Sequence, residues 1–173
     1  MSKYSAWIVA NYPAAVTATA GTGIFPEILL SQAILESAKA GKMPGTILAR
    51  EHNNFFGIKA GANYTGRKVS MSTKEYEGGE LVNTRAYFRS YSSPAESFAD
   101  YGKFLQRNPR YTEALQAQSA TAQAQQLHAA GYSTNPKYGE IIAALAQSIK
   151  QAAGAILSKA KANSSAILTL GAL

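Results

Sequence analysis

Residues 25–39 read FPEILLSQAILESAK, and this stretch decides how the N-terminal part of the chain is organised. Pro26 suits the first turn of a helix, Gly41 suits a position just after its end, and no other helix breaker lies between them. On a helical wheel the apolar residues leave only narrow polar gaps, and Gln32 and Glu36 share one of them. The stretch therefore predicts a mostly buried helix that carries a carboxyl group near its end.

Glu36 has two interpretations on the residues alone. Burial disfavours the charged form of a carboxyl group and raises its pKa, and a carboxyl that keeps its proton near neutral pH can act as a general acid. Alternatively, Glu36 lies on the one hydrated edge of its helix or pairs with a nearby lysine. An isolated glutamate fits the second interpretation more readily. The rest of the sequence must therefore decide between them.

The composition of the 173-residue chain limits the chemistry that it can perform. It contains no cysteine, two histidines and a single aspartate, Asp100, so thiolate sites are excluded and a metal centre is not expected. We expect no cofactor either. No serine has the context of a nucleophile elbow, and the glycine spacings do not match a phosphate loop. Acid–base chemistry by carboxyl groups, as in glycoside cleavage, is the class that fits.

Charge and hydropathy limit the partners. The net charge of +7 favours polyanions in general, but the basic residues are scattered and no nucleic-acid motif occurs, so we expect no nucleic-acid partner. The first 16 residues lack the apolar core of a secretory signal. No window reaches the roughly 18 apolar residues of a membrane span, so stable membrane insertion is not expected. Length and composition predict one compact domain, which we expect to be a monomer.

Helices are predicted on both sides of a central irregular region. Residues 3–11 and 13–20 predict two short helices separated at Pro13, and residues 42–66 predict a loop that buries aromatic side chains. After the hairpin described next, serine and glutamate at 93 and 96 form a capping box for a helix that ends near residue 106. Further helices are expected at residues 110–118, at 120–130, and along a long amphipathic segment after Asn135 and Pro136.

Residues 68–91 predict a β-hairpin. Polar and apolar residues alternate on both sides of Gly78 and Gly79, which suit a two-residue turn. In that register Glu75 shares a face with Val82 and Phe88. An isolated hairpin is marginally stable, so this one must lean on the helices or stay mobile. The predicted pairs are Glu77 with Glu80, Tyr76 with Leu81 and Glu75 with Val82.

Five short motifs follow one another between residues 12 and 150. They are QAILES at 32–37, NNFFGIK at 53–59, TKEY at 73–76, FRSY at 88–91 and GYSTNPKY at 131–138. In this order they resemble the peptidoglycan N-acetylglucosaminidases of glycoside hydrolase family 73, which include the flagellar muramidase-like domain and many autolysins. The resemblance implies an α+β, lysozyme-like fold. It has a mainly helical lobe, a small β-hairpin lobe at about residues 62–92, and a cleft between them.

The resemblance also implies a domain boundary and roles for individual residues. Residues 1–162 would form the single glucosaminidase domain, and residues 163–173 a C-terminal extension. Glu36 matches the family's general acid, Glu75 matches a hairpin carboxylate that assists as base or charge stabiliser, and Tyr132 matches a tyrosine that lines the cleft near the acid. These three are the predicted catalytic residues. The predicted substrate-binding residues are Gln32, Asn54, Phe55, Phe56 and Tyr138, and a role in the core suits the last three equally well.

The resemblance implies a peptidoglycan hydrolase that cleaves the β-1,4 bond between N-acetylglucosamine and N-acetylmuramic acid, with Glu75 or the substrate acetamido group assisting Glu36. A lytic transglycosylase or muramidase is an alternative on the same fold, since such enzymes also use a glutamate at a helix end. A non-catalytic wall-binding or virion module is an alternative of another class. The substrate places the action at the cell wall, in the periplasm or outside the cell. Because no export signal is evident, we expect release like that of a phage lysin or through a dedicated secretion machine.

Overall fold

The computed structural model describes residues 3–78 and 80–170, with side chains for all of these except 75–77, 81, 156–157 and 159–170. Over these residues, a body of helices carries a two-stranded antiparallel sheet. The elements, in chain order, are α1 (Ser5–Thr19), α2 (Pro26–Ser37), α3 (Ile47–His52), β1 (Lys68–Glu77), β2 (Glu80–Arg89), α4 (Pro94–Gln106), a 3₁₀ turn (Pro109–Tyr111), α5 (Thr112–Leu115), α6 (Ala120–Ala129) and α7 (Tyr138–Leu170).

The helix α2 forms the centre of the core, as its sequence predicts. Pro26 occupies its first turn, and every residue from 28 to 34 is 3% exposed or less. The helix packs against α1, α6 and α7, which cover almost its whole circumference. Only Leu35 and Glu36, in the last turn, are exposed. Packing on three sides therefore leaves the end that carries the glutamate open to solvent.

The prediction of two short helices before residue 20 is wrong, because α1 runs without a break through Pro13. Proline removes one backbone donor and normally interrupts a helix. Here residues 8, 11, 15 and 19 recur at helical spacing and are all buried, and they fasten α1 to α2, α4 and α7. Tertiary packing of this face outweighs the local preference for a break.

The predicted loop at residues 42–66 is interrupted by the short helix α3, which the sequence analysis missed. The side chain of Thr46 caps its start by accepting a hydrogen bond from the Ala49 N–H, and Asn53 ends it with a φ of 51°. The prediction of buried aromatic side chains is confirmed, since Phe55 and Phe56 are 2% and 8% exposed. The helix α3 thus positions Phe55 and Phe56 in the core.

The hairpin has the predicted register, in which Glu77 pairs with Glu80 and Glu75 with Val82. Gly78 has a φ of 61°, as the turn requires, while Gly79 lies outside the described residues. Among the hairpin residues whose side chains are described, only Phe88 is buried. The chain just before β1 secures the base, where the Ala60 N–H donates to the Tyr87 carbonyl at 2.8 Å. The base of the hairpin therefore contacts the rest of the protein.

The C-terminal half follows the predicted order of helices. Ser93 caps α4 by accepting from the Glu96 N–H, and Gly131, with a φ of 72°, ends the segment that contains α6. The last helix, α7, continues through residue 163, where the extension was predicted to begin, and residues 171–173 lie outside the described residues. Across the described ranges, no helix combines the length and hydropathy of a membrane span. Among the residues of α7 whose side chains are described, the buried ones are Tyr138, Gly139, Ile142, Ala146, Ile149 and Ala153.

Candidate active site

The exposed end of α2 opens into a cavity of about 390 Å³ between the helical body and the loop that precedes the hairpin. Glu36 lies in its lining, together with Gly57, Ile58 and Lys59 of that loop. The opposite side comes from α4, the 3₁₀ turn and the segment after α6. These segments contribute Arg110 and, together with Phe56 of the loop, form an aromatic wall that comprises Phe56, Tyr101, Phe104, Tyr111 and Tyr132.

The carboxyl group of Glu36 is exposed to the cavity and yet desolvated. Loss of surrounding water raises its pKa above the ordinary value for a glutamate. The two facts are compatible because the cavity is concave and walled by aromatic rings, so protein replaces much of the water around an accessible group. Within the described residues the carboxyl has neither an ion pair nor a hydrogen-bond partner. Among those residues, pairing of the carboxyl with a lysine is therefore not observed, and the group faces the cavity.

Tyr132 lies close to Glu36, as predicted. Gly131 turns the chain at the end of α6, and the Tyr132 N–H donates to the Leu127 carbonyl at 3.0 Å, which points the chain back toward the cavity. The ring of Tyr132 stacks on that of Tyr138, with centroids 5.5 Å apart and planes at 25°. Burial is the main cause of the raised pKa of both phenols, and the charge of Glu36 raises both further. Both hydroxyls therefore stay protonated within electrostatic reach of the carboxyl.

The predicted substrate-binding residues divide into two groups. Phe56 lines the cavity and stacks on Tyr101 with ring centroids 3.9 Å apart. The other four lie behind the lining and are 2% exposed or less, so they support the wall of the cavity in this structure. Contact between these residues and a glycan stays a prediction. The four residues are Gln32, Asn54, Phe55 and Tyr138.

Asn54 shows how one of these buried residues shapes the cavity. Its side-chain amide donates to the carbonyls of Ile58 and Arg89, at 2.9 and 2.8 Å, and its oxygen accepts from the Ile58 N–H at 3.0 Å. The loop that lines the cavity is thereby folded around one amide group and fastened to the end of β2. The position of Gly57 and Lys59 in the lining depends on this network.

Glu75 lies near the tip of the hairpin, and its side chain is outside the described part of the chain. Its backbone pairs with that of Val82 on β2. Glu75 lies seven residues after Lys68, the first residue of β1. At about 3.3 Å per residue, that places it roughly 23 Å along the strand from the start of β1. A catalytic role for Glu75 stays a prediction.

Sequence reasoning missed several residues of the cavity. Tyr101 and Phe104 lie on α4, for which the sequence predicted only a helix, and the 3₁₀ turn that follows α4 brings Arg110 to the cavity. The guanidinium of Arg110 lies 4.6 Å from the centroid of the Tyr111 ring and donates to its hydroxyl. No local pattern reveals these roles, because the segments meet only in the fold. In the described ranges, no three His, Asp or Glu side chains come together as a metal site requires.

The family is decided by comparison with known proteins. The Glucosaminidase family, described as mannosyl-glycoprotein endo-beta-N-acetylglucosaminidase, matches residues 12–151. The chain belongs to this glucosaminidase family. The glycoside hydrolase domain of FlgJ from Salmonella typhimurium has a similar structure, with a TM-score of 0.75 and 30% sequence identity, and the match covers 93% of this chain and 98% of that one. The predicted α+β, lysozyme-like fold is thereby confirmed.

Two relatives with curated descriptions extend the comparison. Peptidoglycan hydrolase FlgJ of Escherichia coli K12 is 38% identical over 129 residues, which cover 75% of this chain and 41% of that protein. Exo-glucosaminidase LytG of Bacillus subtilis is 36% identical over 129 residues, which cover 72% of this chain and 44% of that protein. The chain therefore spans less than half the length of these relatives.

Proposed function

We propose that this protein hydrolyses the β-1,4 bond between N-acetylglucosamine and N-acetylmuramic acid in peptidoglycan. The observation that carries the proposal is the desolvated carboxyl of Glu36 at the open end of α2, in a cavity walled by tyrosines. The family supports the same activity, and so do relatives described as a peptidoglycan hydrolase and an exo-glucosaminidase. The substrate implies action at the cell wall, in the periplasm or outside the cell, by a protein that we expect to be a monomer.

Glu36 is the proton donor in this proposal. Its raised pKa favours the protonated form that a general acid needs, and the proton passes to the glycosidic oxygen as the bond from the sugar C1 breaks. Positive charge then develops at C1 of the N-acetylglucosamine unit. The carboxylate left on Glu36 takes a proton from the water that finally adds to C1, which restores the acid.

The charge at C1 needs a second group, and two are available. One is the acetamido oxygen of the substrate, which can attack C1 and be displaced by water. The other is Glu75, which would have to approach from the hairpin. The Tyr132 hydroxyl, held in its protonated form beside Glu36, can donate a hydrogen bond to the substrate at this step. It is the third predicted catalytic group.

Analysis of the products tests the proposal. Purified protein is incubated with peptidoglycan sacculi, and the soluble muropeptides are identified by mass spectrometry for the wild type and for Glu36→Gln. We expect new reducing ends on N-acetylglucosamine with the wild type and none above background with Glu36→Gln. Anhydro-muramyl or reducing muramic ends would instead identify a lytic transglycosylase or a muramidase. Binding to sacculi without soluble product would identify a non-catalytic wall-binding module.

A further inference from the structure

We infer that Gln32 is a positioning residue, whose buried side-chain amide fixes Tyr101 and Tyr138 behind the cavity and so holds the aromatic wall against Glu36. The sequence predicted that Gln32 binds substrate. Its side chain is instead 0% exposed, on the face of α2 that carries Glu36 one turn later. The inference rests on the proposed function, since the position of Glu36 matters only if this residue is the acid.

Both ends of the Gln32 amide are engaged. Its oxygen accepts a hydrogen bond from the Tyr101 hydroxyl at 2.6 Å, and its nitrogen donates to the Tyr138 hydroxyl at 2.9 Å. Tyr101 belongs to α4 and Tyr138 to α7, so a single amide joins three helices. A buried amide costs free energy unless both ends are bonded, whereas a leucine or methionine would fill the same space without that requirement. We therefore explain the presence of glutamine at position 32 by the orientation that it gives to the two tyrosines, and not by the space that it fills.

The two tyrosines in turn orient the other aromatic rings of the cavity wall. Tyr138 stacks on Tyr132, and Tyr101 stacks on Phe56 and meets Tyr132 edge-on, with centroids 6.3 Å apart. These contacts set how closely the aromatic wall approaches Glu36 and how much water reaches the carboxyl. The titratable groups that line the cavity with Glu36 are Lys59, Tyr101, Arg110, Tyr111 and Tyr132, and Tyr138 lies behind them.

The test removes one hydroxyl at a time. Tyr101→Phe and Tyr138→Phe each keep the ring and leave one end of the Gln32 amide without its partner. We expect kcat to fall about three- to tenfold in each variant, the rate equivalent of one net hydrogen bond, with KM changed less than about twofold. The double variant should lose about as much as the worse single variant, because both substitutions act through one amide.

A readout that does not depend on turnover separates this inference from the proposed function. Carbon-13 NMR titration of the Glu36 carboxyl is expected to give a lower pKa in both tyrosine variants than in the wild type, because a looser wall admits water. Tyr91→Phe is the matched control. Tyr91 is also a buried tyrosine, but its hydroxyl donates to Asp100 near the base of the hairpin. The Tyr91→Phe variant should be less stable than the wild type, and its Glu36 carboxyl should titrate as in the wild type.

Each outcome separates the two claims. If both variants lose stability like Tyr91→Phe while kcat and the Glu36 titration stay at wild-type values, the positioning role is wrong and Gln32 is only structural. If the wild type releases no product but the titration shifts as expected, the proposed function fails and the positioning of the carboxyl stands. If the losses of kcat in the two single variants add up in the double variant, the two tyrosines do not act through one shared amide.

Discussion

At the scale of single residues, the raised pKa that suits Glu36 to its proposed role as an acid also affects the stability of the fold. Its raised pKa means that the folded state favours the neutral carboxyl more than the unfolded chain does. The corresponding stabilisation is fully present below the unfolded pKa of about 4.3 and is lost as the pH rises through the higher folded pKa. Near neutral pH the ionised carboxylate therefore costs stability. A glutamate in this position therefore makes the folded state less stable near neutral pH.

The first prediction concerns Glu36→Gln. We expect hydrolysis to fall about 100-fold or more, because the proton donor is lost. We also expect a higher melting temperature than that of the wild type at pH 7, because the amide stays neutral, and a smaller difference at pH 4. Melting curves at both pH values check this. A difference that does not change with pH would contradict the desolvation of Glu36, whatever the activity.

The second prediction concerns the hydroxyl of Tyr132. Tyr132→Phe keeps the ring that stacks on Tyr138 and removes the hydroxyl, which is the proposed donor to the substrate and also interacts with the hydroxyl of Tyr101. We expect kcat to fall about tenfold or more while the melting temperature changes little. Tyr87→Phe provides the control, since Tyr87 is a 55% exposed tyrosine on the hairpin. Equal activity of the two variants would remove Tyr132 from the mechanism.

At the scale of elements, the loop between α3 and β1 connects the hairpin to the cavity. Asn54 folds this loop around its amide, and the loop in turn bonds to the end of β2. Arg89 continues the attachment, since its guanidinium contacts the Asp100 carboxylate on α4 at 2.7 Å. The hairpin is therefore oriented by contacts at one end of a strand pair ten residues long.

The third prediction concerns the Asn54 network. Asn54→Ala leaves the Ile58 N–H without its partner and removes one hydrogen bond from each of the Ile58 and Arg89 carbonyls, which should cost about 2–3 kcal/mol of unfolding free energy. Activity should also fall, because Gly57 and Lys59 no longer hold their places in the cavity. Urea denaturation and turnover assays measure both. Asn63→Ala, at an exposed asparagine in the same connection, should change neither, and a similar loss in both variants would contradict the argument.

The fourth prediction concerns Glu75. Because the hairpin is attached at its base and Glu75 lies near its tip, we expect Glu75→Gln to reduce hydrolysis far less than Glu36→Gln does, with the acetamido group of the substrate assisting. Glu80→Gln, an exposed glutamate across the turn, is the matched control. The comparison uses initial rates of muropeptide release. A loss equal to that of Glu36→Gln would make Glu75 an obligatory catalytic group.

At the scale of the whole molecule, the candidate active-site cavity and the core share their residues. The aromatic wall is the side nearest the cavity of an aromatic cluster that continues inward through Tyr138 and Phe98. Substitutions in the wall therefore act on stability as well as on catalysis, which is why matched controls are needed. Among the side chains of α7 that the structure describes, the last buried one is Ala153.

The fifth prediction follows from that limit and from the predicted boundary at residue 162. A chain that ends at residue 162 is expected to keep the fold and the activity, because the removed residues follow the last buried position that the structure describes. Thermal melting and muropeptide release compare it with the full chain. A clear drop in melting temperature would assign residues 163–173 to the domain itself.

The sequence by itself determined the features that depend on local spacing. Apolar residues at helical period defined α2, a period of two around paired glycines defined the register of the hairpin, and Ser93 and Gly131 marked helix ends correctly. The order of the five motifs also identified the family, and with it Glu36 as the candidate acid. Neighbouring residues carry these signals, so they can be read without a fold.

The tertiary structure alone decided what long-range contacts control. It kept α1 continuous through Pro13, and it assembled the aromatic wall from four separate segments. It also showed that Gln32, a predicted substrate-binding residue, lies in the core, with bonds to Tyr101 and Tyr138, which lie 69 and 106 residues away along the chain. A helical wheel shows which face of α2 a residue occupies, but burial of that face depends on helices that pack against it from elsewhere in the chain.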